Sequence, residues 1–214
     1  EHPTVRPAYM VPPVISALRH HPGFSQVLEA TNLSKEDVII NYNELAKQLS
    51  EIPLFLRTLE LSTIANLKIE RMLTVLRASM LQTTKERTTD EETRPFAVAL
   101  ALHCFTTEYV FAETSEERTT IESLHQQIET LLKNGHRIPE SFVLALAAYR
   151  PLSSFPWAQT LSEQKWAKNV KNVITRQITE PLEERALREK IPCITPIQNT
   201  VSQLVREQYE QNPY

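Results

Sequence analysis

Thr114-Ser115-Glu116-Glu117, followed by Ile121, Leu124, His125, Ile128, Leu131 and Leu132 and closed by Asn134-Gly135, decides the fold class. Thr114 and Glu117 have the spacing of a capping box, in which hydroxyl and carboxylate each accept from a free N–H at a helix start. The apolar residues then recur three or four positions apart, which puts them on one side of a helix. Asn-Gly suits the C-terminal stop, because glycine takes a left-handed conformation without a Cβ clash. Start, stripe and stop agree on a long amphipathic helix.

The same grammar extends outward in both directions. About Pro95 to Phe111 lies the most apolar helix of the chain, with Ala97, Leu100, Ala101, Cys104, Glu108 and Phe111 on one face. A carboxylate inside an apolar stripe must be paired, hydrogen-bonded or protonated. Glu108, with Tyr109 beside it, is therefore the sharpest candidate for a polar pocket that touches a partner or substrate; an internal ion pair is the structural alternative. Lys68 to Gln82 places Ile69, Met72, Leu73, Leu76 and Met80 on one face. Leu54, Leu56, Leu59, Leu61 and Ile64 read as a wholly buried segment, and polar Thr83–Thr93 as a loop.

Downstream, Pro139 starts a helix with Phe142, Val143, Leu146 and Ala147 inside, and Pro151 and Pro156 bracket a break. Ser162 caps a helix through Ile178 that buries Trp166, Val170, Val173 and Ile174, and Pro181 opens a last short helix to about Lys190. Upstream, residues 1–13 carry Pro3, Pro7, Pro12 and Pro13 and read as an extended arm. Short helices follow at Val14–Leu18 and Ser25–Ala30, with another start at Ser34. The expected fold is all-α, an irregular bundle or solenoid-like stack of about eight to ten helices with no sheet. No repeat of about 34 residues with the tetratricopeptide pattern runs through it. The expected organisation is a short-helix arm over 1–50, a helical bundle over 51–190, and a proline elbow with a linker helix over 191–214.

Composition points the same way. The chain has 214 residues, 41% hydrophobic and 23% charged, as in an ordinary soluble globular protein. It has two glycines, Gly23 and Gly135, against 14 prolines. Hairpin sheets and phosphate-cradling loops both need more glycine than that. A net charge of −3 argues against nucleic acid as a partner. Cys104 and Cys193 are too few for a disulfide framework or a four-ligand zinc site, and His2, His20, His21, His103, His125 and His136 have no metal-ligand spacing. No run reaches the ~18 apolar residues of a membrane span, and the expected location is cytoplasmic. Lys165, Lys168 and Lys171 form a basic strip read as a solvated helix face.

The last two dozen residues differ in kind. Pro192 and Pro196 form a stiff elbow, after which Val201, Leu204, Val205 and Tyr209 make one apolar stripe up to Asn212-Pro213-Tyr214. This stretch, Val201 to Tyr214, is similar to the segment that enters the methyltransferase domain in a family of bacterial proteins. Those proteins join a helical region, often with tetratricopeptide repeats, to a class I S-adenosylmethionine-dependent methyltransferase. Ile69–Arg77, Cys104–Phe111 and Gln177–Glu183 resemble the same family, in the same order, over roughly residues 50 to 214. The family continues past Asn-Pro-Tyr with a proline, an arginine and a tryptophan that this chain does not contain.

The resemblance implies a non-catalytic accessory module, with S-adenosylmethionine held by a domain outside these 214 residues. The implied partners are that methyltransferase domain of the same parent chain and a protein substrate or partner. The residues expected to meet them are Glu108, Tyr109, Arg206, Tyr209, Asn212, Pro213 and Tyr214. The rival expectation is a free-standing helical adaptor with no enzyme domain.

Overall fold

The computed structural model describes residues 6–33, 40–84, 91–188, 190–191 and 199–211. Among them the chain is all-α, with no strand. Its helices are α1 (Pro7–Leu18), α2 (Pro22–Leu33), α3 (Tyr42–Ser50), α4 (Pro53–Leu61), α5 (Leu67–Thr83) and α6 (Arg94–Thr106). They continue with α7 (Ser115–Lys133), α8 (Glu140–Ala147), α9 (Ala158–Ser162), α10 (Lys168–Ile174), α11 (Glu180–Arg188) and α12 (Thr200–Gln211). The π-helical turn Thr175–Thr179 joins α10 to α11 without a break. Two compact units divide the chain, 1–181 and 182–214.

In the first unit α6 is the axle. Every residue from Phe96 to Cys104 is buried, so this helix has no solvent face. It packs against α3, α4, α8 and α10, while α5 and α7 flank α8, α2 lies on α3 and α5, and α1 on α4. The short α8 is equally enclosed, from Phe142 through Ala147. A helix apolar all round forms only where neighbours cover every side.

The α7 stretch folds as its spacing requires. The Thr114 hydroxyl accepts from Glu117 N at 3.1 Å, and the Glu117 carboxylate accepts from Thr114 N at 2.6 Å. Ile121, Leu124 and Ile128 are buried, and Gly135 at φ 69° closes the helix. His125 is half-buried and lies among rings, 4.8 Å from Phe155 and 5.6 Å from Trp157, instead of in the core.

Several expectations are corrected. Helix α1 begins at Pro7 and carries Pro12 and Pro13 inside it, where an extended arm was expected. The two prolines remove the N–H groups that would reach the carbonyls of residues 8 and 9, but both residues are exposed and water can take those positions. The second helix, expected over Ser25–Ala30, runs from Pro22 to Leu33. Ser162 ends α9; the next helix starts at Lys168, and Trp166 is only half-buried, its Nε1 donating to the Leu161 carbonyl at 2.8 Å. Pro181 lies inside a continuous helix, just beyond the widened π turn, a common way to seat a residue with no N–H. In α4, Phe55 and Leu59 are buried, whereas Leu54 and Leu61 are about half exposed.

The second unit contains the end of α11 and the whole of α12. Asn199 starts α12 by accepting from Val201 N at 2.9 Å and Ser202 N at 3.3 Å. Val201, Leu204, Val205 and Tyr209 are all exposed. The helix start at Ser34, the Pro192–Pro196 elbow with Cys193, and Asn212-Pro213-Tyr214 lie outside the described residues.

Candidate interaction site

The feature with the most chemistry is a buried polar brace where α5, the end of α6, the start of α7 and the end of α8 converge. Its centre is Arg77, 1% exposed although it carries a guanidinium. That group lies 4.0 Å over the ring of Tyr149 and 5.5 Å from that of Phe111, and its Nη2 donates to the Ala112 carbonyl at 2.5 Å. Burying a cation costs several kcal/mol, and stacking on desolvated rings returns about 2 kcal/mol or more. Tyr149 extends the brace, donating its hydroxyl to Glu117 Oε1 at 2.6 Å. The carboxylate that caps α7 is thus also the acid that faces the Arg77–Tyr149 stack. Burial, first, and the bond to Glu117, second, raise the Tyr149 phenol. It therefore stays protonated and donates.

Beside it Arg150 grips Glu113 in two parallel bonds of 2.8 Å. That bond holds the Glu113 carboxyl below the usual range and lifts the guanidinium of Arg150. On the other side Gln177, fully buried in the π turn, joins three elements. Its Nε2 donates to the carbonyls of Ala101 and Ala147, both at 3.1 Å. Its Oε1 accepts from Leu152 N and from the Tyr109 hydroxyl, both at 3.3 Å. One amide thereby satisfies the end of α8, the middle of α6 and the following turn.

Above this brace lies a cleft of about 940 Å³. Its floor is the outer face of α5, with Thr74, Val75, Ala78 and Ser79 uppermost. One wall is the start of α3 at Asn41 and Tyr42; the other is the start of α7 from Ala112 to Glu117. Short side chains at four-residue spacing leave the floor shallow enough for another chain segment to approach closely. Tyr42 also lines a small space of about 20 Å³ together with Ser141, and burial raises its phenol above the ordinary range.

The structure scatters the residues singled out in the sequence. Helix α6 stops at Thr106, so Glu108 is not on an apolar stripe; it is exposed in a turn and is no buried carboxylate. Glu108 and Tyr109 both take positive φ, 52° and 58°, and Tyr109 N donates to the Cys104 carbonyl at 2.9 Å. Two left-handed residues reverse the chain and turn Tyr109 inward to Gln177 while Glu108 points out. Arg206 and Tyr209 lie on α12 in the second unit.

Arg77 and Gln177 were the residues the sequence reading passed over. Arg77 is four positions after Leu73 and three before Met80, and Gln177 four after Val173, so each sits on a buried stripe. Cys104, in contrast, is an inert core thiol: burial pushes it up to about 12, against the pull of Arg77. His103 is buried with Nδ1 3.1 Å from the Leu59 carbonyl, and burial lowers its pKa. Among the described residues no helix is long and apolar enough to cross a membrane. Compared with family models, curated proteins and solved structures, the chain matches none.

Proposed function

We propose that the chain is a non-catalytic helical docking module that works beside a S-adenosylmethionine-dependent methyltransferase domain of the same parent chain. The observation that carries the docking part is the cleft. It has a floor of short side chains, and of the three carboxylates at its edge Glu113 and Glu117 are turned into bonds that hold the bundle while Glu116 is exposed. A partner segment would find shape and backbone polarity there, with Glu116 as the exposed carboxylate at the rim. The methyltransferase part rests on the resemblance of Val201–Tyr214 and the three supporting stretches.

The chain's own residues do not fit the cofactor. Gly23 lies in the first turn of α2 and Gly135 closes α7, so neither belongs to the glycine-rich strand-to-helix loop that lets a nucleotide-like ligand approach a backbone. S-adenosylmethionine would be held by the neighbouring domain, and titrating it into this chain alone should give no binding heat. The coding sequence beyond Tyr214 decides the association: a glycine-rich strand–turn–helix supports it, and a stop codon leaves the free-standing adaptor. Docking is tested separately by Ala78→Arg, which fills the cleft floor. It should weaken binding of the neighbouring domain added in trans at least tenfold while leaving the bundle folded; undiminished binding sinks the cleft as the docking surface.

A further inference from the structure

A second surface, between α1 and α4, has a different chemistry. Helices α1 and α4 pack side by side and leave a groove of about 340 Å³ between them. Met10 and Val14 line it from α1, and Leu54, Thr58 and Leu61 from α4, with Arg57 the one charged residue on its walls among the described residues. Met10 is 50% exposed, Leu54 49% and Leu61 47%. Three large apolar side chains half out of the protein along one trough are a contiguous patch, not scattered surface residues.

The charged residue on the trough's own walls is basic, and the acid beside it, Glu60, is bonded to that residue. Helix α1 contains no charged residue, its N-cap is Arg6, and no acid occupies its first turn, so the positive end of its dipole is uncompensated by its own helix. Arg57 uses Nη1 for Glu60 at 2.7 Å, and a guanidinium has further N–H groups for a second carboxylate. Arg19 lies at the other end of α1, lining the adjoining depression with Val11, which also lines the groove.

We infer that the α1–α4 groove binds an amphipathic helix of a partner protein whose apolar stripe is flanked by Asp and Glu. The trough between two helices matches the anchors that a third helix presents at i, i+3 or i+4, and i+7. Met10 supplies an adaptable contact, since an unbranched thioether fits varied partners. Arg6, Arg57 and the α1 N-terminus select the acidic flanks and set the direction in which the helix lies. This reading is independent of the methyltransferase association and of the cleft over α5.

The test is selection from a displayed library of amphipathic helices, each about 16 residues long, with acidic, basic or neutral flanks in equal number. Panned on the intact chain, acidic clones should be enriched at least tenfold over basic ones, and their binding should weaken as salt rises. Leu54→Asp or Leu61→Asp should erase that enrichment, and Arg57→Glu should remove the preference for acidic flanks. Both leucines are about half exposed, so these variants keep their helical circular dichroism; Met10→Asp is the further variant if either does not. Enrichment of basic or neutral clones would overturn the inference, as would selection indifferent to the groove variants. So would a concentration-dependent dimer of the chain that Leu54→Asp dissociates, which would assign the groove to a second copy.

Discussion

The bundle's brace and helix α12 handle polarity in opposite ways. Around Arg77 and Gln177 the protein has drawn a guanidinium, a carboxylate, two phenols and an amide into the interior and given each a partner there. On α12 it has left Val201, Leu204, Val205 and Tyr209 outside. Buried polar groups are costly unless satisfied, so they fix one arrangement of helices and little else. An exposed apolar stripe adds little to the stability of its own unit. The comparison therefore separates residues buried to hold the fold from a stripe that remains exposed.

Arg77→Ala should break the comparison most severely. It leaves the Tyr149 and Phe111 rings and the Ala112 carbonyl without the guanidinium and opens a cavity, and a loss of about 3–5 kcal/mol is expected in urea denaturation. Arg77→Met keeps much of the volume and should lose clearly less, which divides the effect between charge and packing. Gln177→Leu comes next, at about 3 kcal/mol, because two carbonyls, an N–H and a hydroxyl lose their partner together. A loss no larger than that of a surface substitution would show that the π turn is incidental.

The third prediction concerns pH. Burial lowers the pKa of His103 from 6.5, so the unfolded chain takes up that proton first. Stability should be level from pH 6.5 up to about 9, where the raised Cys104 thiol begins to weaken the fold, and should fall as the pH drops below 6.5, through the lower folded value of His103. Glu113, also lowered, adds a further fall below its ordinary 4.5. The groups facing the imidazole are the Leu59 carbonyl, the Ser62 backbone and, at 6.0 Å, the Phe111 ring, none of which becomes charged. His103→Gln should flatten the upper part of the profile and leave the acid limb; an unchanged slope between pH 6.5 and 4.5 would remove His103 as its cause. The smallest effect belongs to α12, where Leu204→Ser should shift unfolding of the bundle by less than about 0.5 kcal/mol.

Much of this fold was legible because helix caps and stripes are local. Thr114, Glu117 and Gly135 announce α7 within one stretch, and Ile69, Met72, Leu73, Leu76 and Met80 do the same for α5. The end of α6 was not legible. A stripe continues on a helical wheel until something stops it, and here the stop is a pair of non-glycine residues in left-handed geometry that neither type advertises. That one turn moved Glu108 from core to surface and left Tyr109 facing inward. The prolines of α1 misled for a related reason: they break helices by removing bonds, and an exposed turn can give those bonds to water.

The brace was hidden because stripe reading treats a polar residue as outward. Arg77 and Gln177 sit on the stripes all the same, and only the neighbouring helices show what receives them. Arg206 and Tyr209 fall on α12, as the apolar periodicity of that segment requires, since the pattern there is purely local.

Hydrogen exchange resolved by residue tests the central division most directly. Amides of α6, α8 and the turn around Gln177 should exchange only through global unfolding, at one common free energy, while those of α12 exchange many orders of magnitude faster. Protection of α12 equal to that of α6 in the isolated chain would contradict the account, because a helix with its apolar stripe exposed lacks the burial that protects α6.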